Sequence, residues 1–225
     1  MTGDLQAVWL TASLAGARTL LLVPIASLLA WWLARSDSPV RSVVEAVVAM
    51  PLVLPPTVLG FYLLVLLNPE SSVGGFWMEL TGASLTFSFS GLVLASIVYS
   101  LPFMVQPLHA AFRAVPEAVM EAAATLGASS WDRWRNVALP LAKRGYVTGG
   151  VLTFAHTVGE FGVVLMMGGN IPGETRVLSI AIYEHVETLN YDAAHTLALG
   201  LLCFSFASLW LVYRYAGHRF EVVRG

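Results

Sequence analysis

Long apolar stretches separated by short polar segments make up most of the chain. Four of these stretches hold roughly 20 or more mainly apolar residues, the length of helix that spans a bilayer. They cover approximately residues 43–67, 88–112, 145–169 and 193–217. A fifth apolar stretch, residues 5–34, contains a single internal charge, Arg18. The pattern therefore predicts an all-α fold with five membrane-spanning helices in a single transmembrane domain, residues 1–225.

The charge inside the first apolar stretch needs a separate explanation. Arg18 lies 17 positions before Arg35, about 25 Å along a helix that rises 1.5 Å per residue. The two arginines can therefore reach opposite membrane surfaces, so we expect Arg18 at the outer interface with its side chain directed outward. The alternative is a functional charge inside the membrane.

A sixth apolar-rich segment is too short and too charged to cross a bilayer. Residues 176–190, RVLSIAIYEHVETLN, include Arg176, Glu184, His185 and Glu187. We expect this segment to form an interfacial or loop helix. Five spans then leave the two termini on opposite sides of the membrane.

Composition supports a membrane protein. Charged residues make up 12% of the chain, hydrophobic residues 57%, and the mean hydropathy is +0.73, whereas soluble domains carry about 25% charged residues. The single cysteine, Cys203, excludes an intrachain disulfide and a cysteine-based metal cluster. We expect a multi-pass protein of the cell (inner) membrane, with lipid around it and no nucleic-acid partner.

The distribution of lysine and arginine gives the orientation. One side of the predicted membrane carries ten of these residues: Arg35, Arg41, Arg113, Arg133, Arg135, Lys143, Arg144, Arg214, Arg219 and Arg224. The opposite side is rich in acids: Glu70, Glu79, Glu174, Glu184, Glu187 and Asp192. Because positive charge accumulates on the cytoplasmic side, we expect the 113–144 loop and Gly225 to be cytoplasmic and the N-terminus outside.

Prolines interrupt the second predicted span. The segment MPLVLPPTVLG contains Pro51, Pro55, Pro56 and Gly60. Each proline removes a backbone donor and frees a carbonyl, which in a membrane is satisfied by neighbouring groups or by cavity water. We predict that Pro51–Gly60 lines a pathway; ordinary kinked packing is the alternative.

The segment EAAATLGASSWDRWRNVALP, residues 121–140, departs from the apolar character of the chain. Pro116 and Glu117 favour the start of a helix, and Gly127 favours its end. Ser129 or Ser130 can then cap a second helix that carries Trp131 and Trp134, both of which we expect to be exposed. An alanine-rich helix of this kind suits a cleft in another protein, although a connector packed on its own bundle is also consistent.

The spacing within this segment resembles the EAA motif of ABC importer permeases. Glu121-Ala122-Ala123 is followed by Gly127 and by Val137-x-Leu139-Pro140, with valine where isoleucine is usual. The resemblance implies that the 113–144 loop is the coupling helix that seats in a groove of a cytoplasmic ATPase. The implied coupling residues are Glu117, Glu121, Ala122, Ala123, Gly127, Trp131, Leu139 and Pro140.

Two further segments are similar to molybdate permeases of the ModB family. They are MPLVLPPTVLGFYLL (50–64) and GEFGVVLMMGGNIPGET (159–175), and the likeness extends from about residue 5 to 217. It implies a homodimeric channel subunit, a pair of ATPase subunits inside and a molybdate-binding protein outside. Tungstate and sulfate are alternative substrates, since sulfate permeases share the Gly-Glu-Phe-Gly core.

Glu160 is an acid well inside the fourth span, about 22 Å from the cytoplasmic interface, and such an acid is a functional hypothesis by default. An ionised carboxylate would repel an oxyanion, so we favour a hydrogen-bonded structural or gate-shaping role over substrate contact. His156, one turn earlier, is more typical of a packing histidine than of a ligand. The candidate pathway or gate residues are Pro51, Pro55, Pro56, Gly60, His156 and Glu160. Because no span offers a lysine or arginine at mid-depth, we expect specificity to reside in the external binding protein.

The sequence separates three classes of membrane protein. It contains no glycine-rich phosphate loop, so an ATP-driven importer subunit needs a separate ATPase and is not itself an enzyme. A proton-coupled secondary transporter, with Glu160 and His156 relaying protons, is the alternative, but no internal repeat is visible. An integral membrane enzyme would need a cluster of catalytic or metal-binding residues, and the five histidines are scattered. No metal site or cofactor is expected.

Overall fold

The computed structural model describes residues 2–216, and every regular element in that range is helical. The predicted all-α polytopic fold is confirmed. Arg219, Arg224 and Gly225, which the orientation prediction used, lie outside the described residues. In chain order the helices are α1 (Thr2–Arg35), α2 (Arg41–Ala49), α3 (Pro56–Leu67), α4 (Ser72–Thr81), α5 (Phe89–Arg113), α6 (Glu117–Thr125), α7 (Ser130–Asp132), α8 (Leu139–Leu141), α9 (Lys143–Gly159), α10 (Gly162–Gly168), α11 (Leu178–Glu187) and α12 (Tyr191–Ala216).

Three of these helices, α1, α5 and α12, are each long and apolar enough to cross a bilayer. Two further pairs reach that length together. Span two combines Arg41–Leu52 with Pro56–Leu67 at a bend of 110°, and span four combines Lys143–Gly159 with Gly162–Gly168 at a bend of 62°. The five predicted crossings therefore correspond to three continuous helices and two bent pairs, with each pair taken as one span.

Prolines explain the bend in span two. Pro51 lies in a 3₁₀ turn, Met50–Leu52, and Pro55 has φ −54° and ψ 133° directly before α3. Pro56 opens α3, at a position where its missing N–H leaves no intrahelical bond unmade. The chain therefore stops one helix and starts another within three residues.

Span four bends without a proline. α9 ends at Gly159, and Glu160 adopts φ −71° and ψ 129° before α10 begins at Gly162. A Cβ atom on Gly162 would lie 2.7 Å from the Cβ of Pro56. Glycine at this position therefore lets α10 approach the start of α3, and the two bends lie side by side.

Helices α1, α5 and α9 form the central frame, in which each helix packs on the other two. Glycines bring α9 close to α5. A Cβ on Gly145 would lie 2.9 Å from the Pro107 carbonyl oxygen, and one on Gly149 would lie 3.2 Å from that of Met104. Small residues at such crossings are typical of helix packing in membranes.

The buried apolar side chains form two clusters. The loop-side cluster includes Leu22 of α1, Met104 of α5 and Met120 of α6. The far-side cluster includes Leu14 of α1 and Val163 of α10. Between them lies a group of buried or half-buried polar residues, which we term the polar layer: Arg18, Ser96, Ser100, Thr153, His156, Thr157 and Glu160.

Two short helices complete the described fold. Helix α11 confirms that residues 176–190 contain a short helix, and its position at the membrane interface stays a prediction. Helix α4 was not predicted. It is capped by Ser71, whose hydroxyl accepts a hydrogen bond from the Gly74 amide at 2.9 Å, and it ends at Gly82, which has φ +71°.

Candidate functional sites: the coupling segment and the polar layer

The residues 113–144, which we term the coupling segment, fold as the local signals predicted. Gly127 ends α6 with φ +87°, a left-handed conformation that residues with a Cβ rarely adopt. The Ala128 amide donates to the Ala123 carbonyl at 3.0 Å across this turn, as in a Schellman C-cap. The Ser129 hydroxyl then accepts from the Asp132 amide at 3.2 Å and caps α7.

One side of α6 is anchored on the bundle and the rest is open. Met120 is buried in the loop-side cluster and Ala123 is half-buried, whereas Glu117, Glu121 and Ala122 are exposed. The predicted coupling residues at the start of the segment therefore lie mainly on the surface. Met120 anchors α6 on the bundle, and the opposite surface of this helix is available to a partner.

Sequence reasoning missed the most prominent apolar side chain of this surface. Leu126 is 89% exposed, and Val119 is also exposed. Large apolar side chains at a segment tip mark a surface for association when they cluster. The sequence did contain a signal for this exposure. Leu126 comes directly before the glycine that ends the helix, and the residues one turn later, Ser129 and Ser130, offer it no apolar contact.

The tryptophans only partly follow expectation. Trp131 is exposed, but the prediction that Trp134 is also exposed is wrong, because it is half-buried. The two rings stack with their centroids 4.7 Å apart and an angle of 30° between their planes, so the half-buried Trp134 packs against the exposed Trp131. Leu139 is half-buried against the loop-side cluster and Pro140 is exposed, where the segment returns to the bundle.

The coupling segment rejoins the helix bundle through a π-helical turn, Arg133–Ala138. Pro140 has no N–H, and its ring would clash with the carbonyl four residues earlier in a regular α-helix. A wider π turn before the proline relieves that clash. The Leu-Pro end of the motif therefore shapes the backbone where the coupling segment rejoins the membrane helices.

The proline-rich segment of span two has several roles. Pro51 and Gly60 are buried and Pro55 is exposed. A Cβ on Gly60 would lie 2.8 Å from the Cβ of Met166, so this glycine permits close packing of α3 on α10. These three residues do not line the recess described next.

A recess of about 520 Å³ opens at the junction of the two bent spans. It brings together three of the predicted pathway residues, Pro56, His156 and Glu160. It also adds Thr57 and Tyr99, which sequence reasoning did not select. The recess offers hydroxyl groups and an imidazole, and the charge of Glu160 is compensated by a buried arginine.

Arg18 is that arginine, and the prediction that it lies at the outer interface is wrong. Arg18 and Glu160 are both fully buried side chains, and their Nη1 and Oε2 atoms are 2.9 Å apart. Arg18 Nη1 also donates to the Ser96 carbonyl at 3.2 Å, and Nη2 donates to the Thr153 carbonyl at 2.5 Å. The structure therefore has a buried cation at the level of Glu160, where none was expected from the sequence.

Depth could have revealed this pair. Arg18 lies 17 positions before Arg35, and Glu160 lies 17 positions after Lys143. Both are therefore about 25 Å along their helices from basic residues on one side of the membrane. Opposite charges at equal depth in two spans predict a pair, because an isolated charge in a bilayer is costly.

His156 has the surroundings of a packing histidine and one side on the recess. Its Nδ1 lies 3.0 Å from the Ser100 hydroxyl, and its ring stacks on Phe103 with centroids 3.9 Å apart. Tyr99 contacts the ring from a second side, with centroids 4.9 Å apart. These contacts fix the orientation of the imidazole beside the recess.

The bent spans, the buried polar layer and the projecting coupling segment make up a fold that is shared with a class of membrane protein, the permease subunits of ABC transporters. A solved structure of this class, a bacterial alginate ABC transporter in complex with an alginate pentasaccharide-bound periplasmic protein, has the same fold. The TM-score is 0.74 at 18% identity, covering 97% of this chain and 80% of that chain. A permease subunit of this class is not itself an enzyme.

The family is given by sequence. Residues 23–218 match the family of binding-protein-dependent transport system inner membrane components, and the chain belongs to this family. It is therefore a multi-pass membrane protein that works with an ATPase and a substrate-binding protein.

Two relatives are similar over most of their length. The molybdenum transport system permease protein ModB of Azotobacter vinelandii is 52% identical over 210 residues, covering 93% of each chain. The protein of the same name from Escherichia coli K12 is 37% identical over 183 residues, covering 81% of this chain and 80% of that chain.

Proposed function

We propose that the chain is the membrane subunit of an ABC importer that moves molybdate into the cytoplasm. The observation that carries this proposal is the 52% identity to the Azotobacter vinelandii ModB permease across 93% of both chains. The exposed coupling segment supports it, because a permease without its own ATP site needs a contact surface for an ATPase. Tungstate and sulfate, which are also tetrahedral dianions, are the alternative substrates.

The coupling segment is the proposed contact with the ATPase. Ala122 and Gly127 allow close approach, while Leu126 and Trp131 supply exposed apolar area. Large apolar and aromatic side chains carry most of the binding energy in protein interfaces. Glu121, exposed on the same helix, would be oriented at the contact.

A second copy of the chain is the proposed partner inside the membrane. The recess reaches the surface, because its lining residue Thr57 is exposed, and α3 beside it exposes Phe61 and Tyr62 at 49% and 64%. One bundle therefore supplies only one wall of a pathway. A homodimer surrounded by lipid would close the path between two such walls.

The far end of the bundle is the proposed contact with the molybdate-binding protein. Arg176 forms an ion pair with Glu184 of α11, with Nε and Oε2 2.9 Å apart, and its Nη2 lies 3.6 Å from Oδ1 of Asp4, so the start of α1 is tied to α11. This charged network gives a folded outer surface on the side opposite the coupling segment. We place the N-terminus outside and the C-terminus in the cytoplasm.

Reporter fusions test the orientation. We expect fusions at Asp4 and after Gly225 to report opposite sides of the membrane, because lysine and arginine favour the cytoplasmic side. A fusion within the coupling segment, at Ser130, serves as the cytoplasmic reference. Reporters at Asp4 and Gly225 on the same side would contradict the five-span arrangement.

Uptake with competitors tests the substrate. Proteoliposomes that hold the permease and its ATPase, with the binding protein outside, should accumulate labelled molybdate. The recess offers no unpaired cation, so selectivity should follow the binding protein. With molybdate at a saturating concentration, we expect an equal concentration of tungstate to reduce uptake by about half, as for two ligands of equal affinity, while sulfate at the same concentration has little effect. Sulfate competing as well as tungstate would support the sulfate alternative.

A further inference from the structure

The polar layer separates the two apolar clusters along the helices of the central frame. On α1, Arg18 lies between Leu14 of the far-side cluster and Leu22 of the loop-side cluster. On α5, Ser96 lies between Ala95 of the far-side cluster and Met104 of the loop-side cluster. Apolar contacts constrain direction weakly, whereas the hydrogen bonds and the ion pair of the polar layer join the helices of the frame in defined directions.

Arg18 contacts every helix of the frame and the break in span four. It belongs to α1, its guanidinium donates to carbonyl oxygens of Ser96 on α5 and Thr153 on α9, and it pairs with Glu160 at the break. A guanidinium presents its donors in a rigid planar fork. This fork therefore fixes the position of Glu160 relative to three helices at once.

Glu160 transmits this position to the other bent span. Its own carbonyl accepts a hydrogen bond from the Ser179 hydroxyl of α11 at 2.5 Å, and α10 begins two residues later. Helix α10 then contacts α3 through Gly162 against Pro56 and Gly60 against Met166. The chain of contacts runs from Arg18 through Glu160 and α10 to α3, which carries the proline-rich wall of the recess.

We propose that Arg18 is a positioning residue for transport, and that its pair with Glu160 holds α10 and α3 on the central frame until the loaded binding protein engages. The inference rests on the proposed importer function. The pair sets the arrangement of the pathway wall, and the coupling of substrate movement to ATP hydrolysis depends on it.

The free-energy cost of removing one or both partners of the ion pair separates a positioning role from a purely structural one. Removing one partner of a buried ion pair leaves an uncompensated charge and destabilises the fold. Replacing both partners by apolar residues of similar volume is often neutral or stabilising. We therefore expect a double apolar variant to keep the fold and to lose the directional constraint of the pair.

The experiment compares Arg18→Met, Glu160→Met and the double variant in proteoliposomes with the ATPase and binding protein. We expect each single variant to insert poorly. The double variant should recover insertion and ATPase association, yet move roughly tenfold less molybdate per ATP, a loss within the usual range of coupling energies. Its ATP hydrolysis should no longer require the loaded binding protein. A wild-type transport ratio in the double variant would overturn the proposal.

Two further variants complete the test. Arg18→Lys keeps the charge but loses the planar fork, so it should insert normally and show the same loss of coupling. A wild-type transport ratio in this variant would overturn the proposal even if the double variant fails to fold.

Tyr146→Phe is the control. It removes another α1–α9 bond, the 2.7 Å hydrogen bond from the Tyr146 hydroxyl to Ser27, and should keep a wild-type ratio of molybdate moved per ATP. An equal loss in Tyr146→Phe would show that the effect is not specific to Arg18. Failure of the wild-type assembly to transport molybdate would instead contradict the proposed function.

Discussion

Replacing Gly127 by valine is expected to separate the permease from its ATPase while the membrane bundle stays folded. Gly127 has φ +87° and no atom near the position of a Cβ, so the substitution strains the backbone without a steric clash. Such strain costs about 1–3 kcal/mol, enough to rearrange the turn between α6 and α7. The ATPase recovered with each membrane-inserted permease should fall about tenfold or more, as for loss of an interface hot spot.

Gly82 provides a matched control for this substitution. It also has a positive φ, +71°, and open space around a Cβ, but it ends α4, outside the coupling segment. Gly82→Val should therefore leave ATPase association unchanged. Leu126→Ser is the companion variant, because it keeps the backbone and removes a side chain that is 89% exposed. Normal ATPase recovery and uptake in both Gly127→Val and Leu126→Ser would contradict the coupling role.

Replacing Gly60 by leucine should abolish most uptake through the membrane path. A Cβ at this position would lie 2.8 Å from the Cβ of Met166 and 3.2 Å from the Cα of Val163, so α3 and α10 must move apart. Overpacking of this kind costs about 1–3 kcal/mol, and it displaces the wall that carries Pro56 and Thr57. Uptake per inserted permease should fall by about tenfold, since 1.4 kcal/mol corresponds to a factor of ten.

Gly150→Leu is the control for the Gly60 variant. Gly150 lies on α9, and a Cβ there meets no atom within 4 Å. Uptake and thermal stability in detergent should stay near wild type. If Gly60→Leu matched this control in both measurements, the close packing of α3 on α10 would have no part in transport.

Local signals predicted the coupling segment because each of its features depends on neighbouring residues. Gly127 ends α6 and Ser129 caps α7 through bonds within a few positions. The prolines likewise predicted the interruption of span two, because a proline lacks the N–H that a helix needs at that same position. Trp134 was misplaced because its burial depends on stacking with Trp131 and on the fold beneath it.

The polar layer could not be predicted from local pattern alone. Arg18 and Glu160 are 142 positions apart, and each has an ordinary explanation when taken alone: an interfacial arginine and a hydrogen-bonded acid. The break at Glu160 contains no proline. The need for glycine at position 162 follows only from the close approach of Pro56, which belongs to a distant part of the sequence. Only the packing of α1 against α5 and α9 brings these groups together.

The driving force of uptake tests the central claim most directly. Proteoliposomes with the permease, its ATPase and the binding protein should accumulate labelled molybdate only when ATP and the binding protein are both present, and a protonophore should leave the initial rate unchanged. Accumulation driven by an imposed pH gradient without ATP would contradict an importer powered through the coupling segment, and would support a proton-coupled transporter instead.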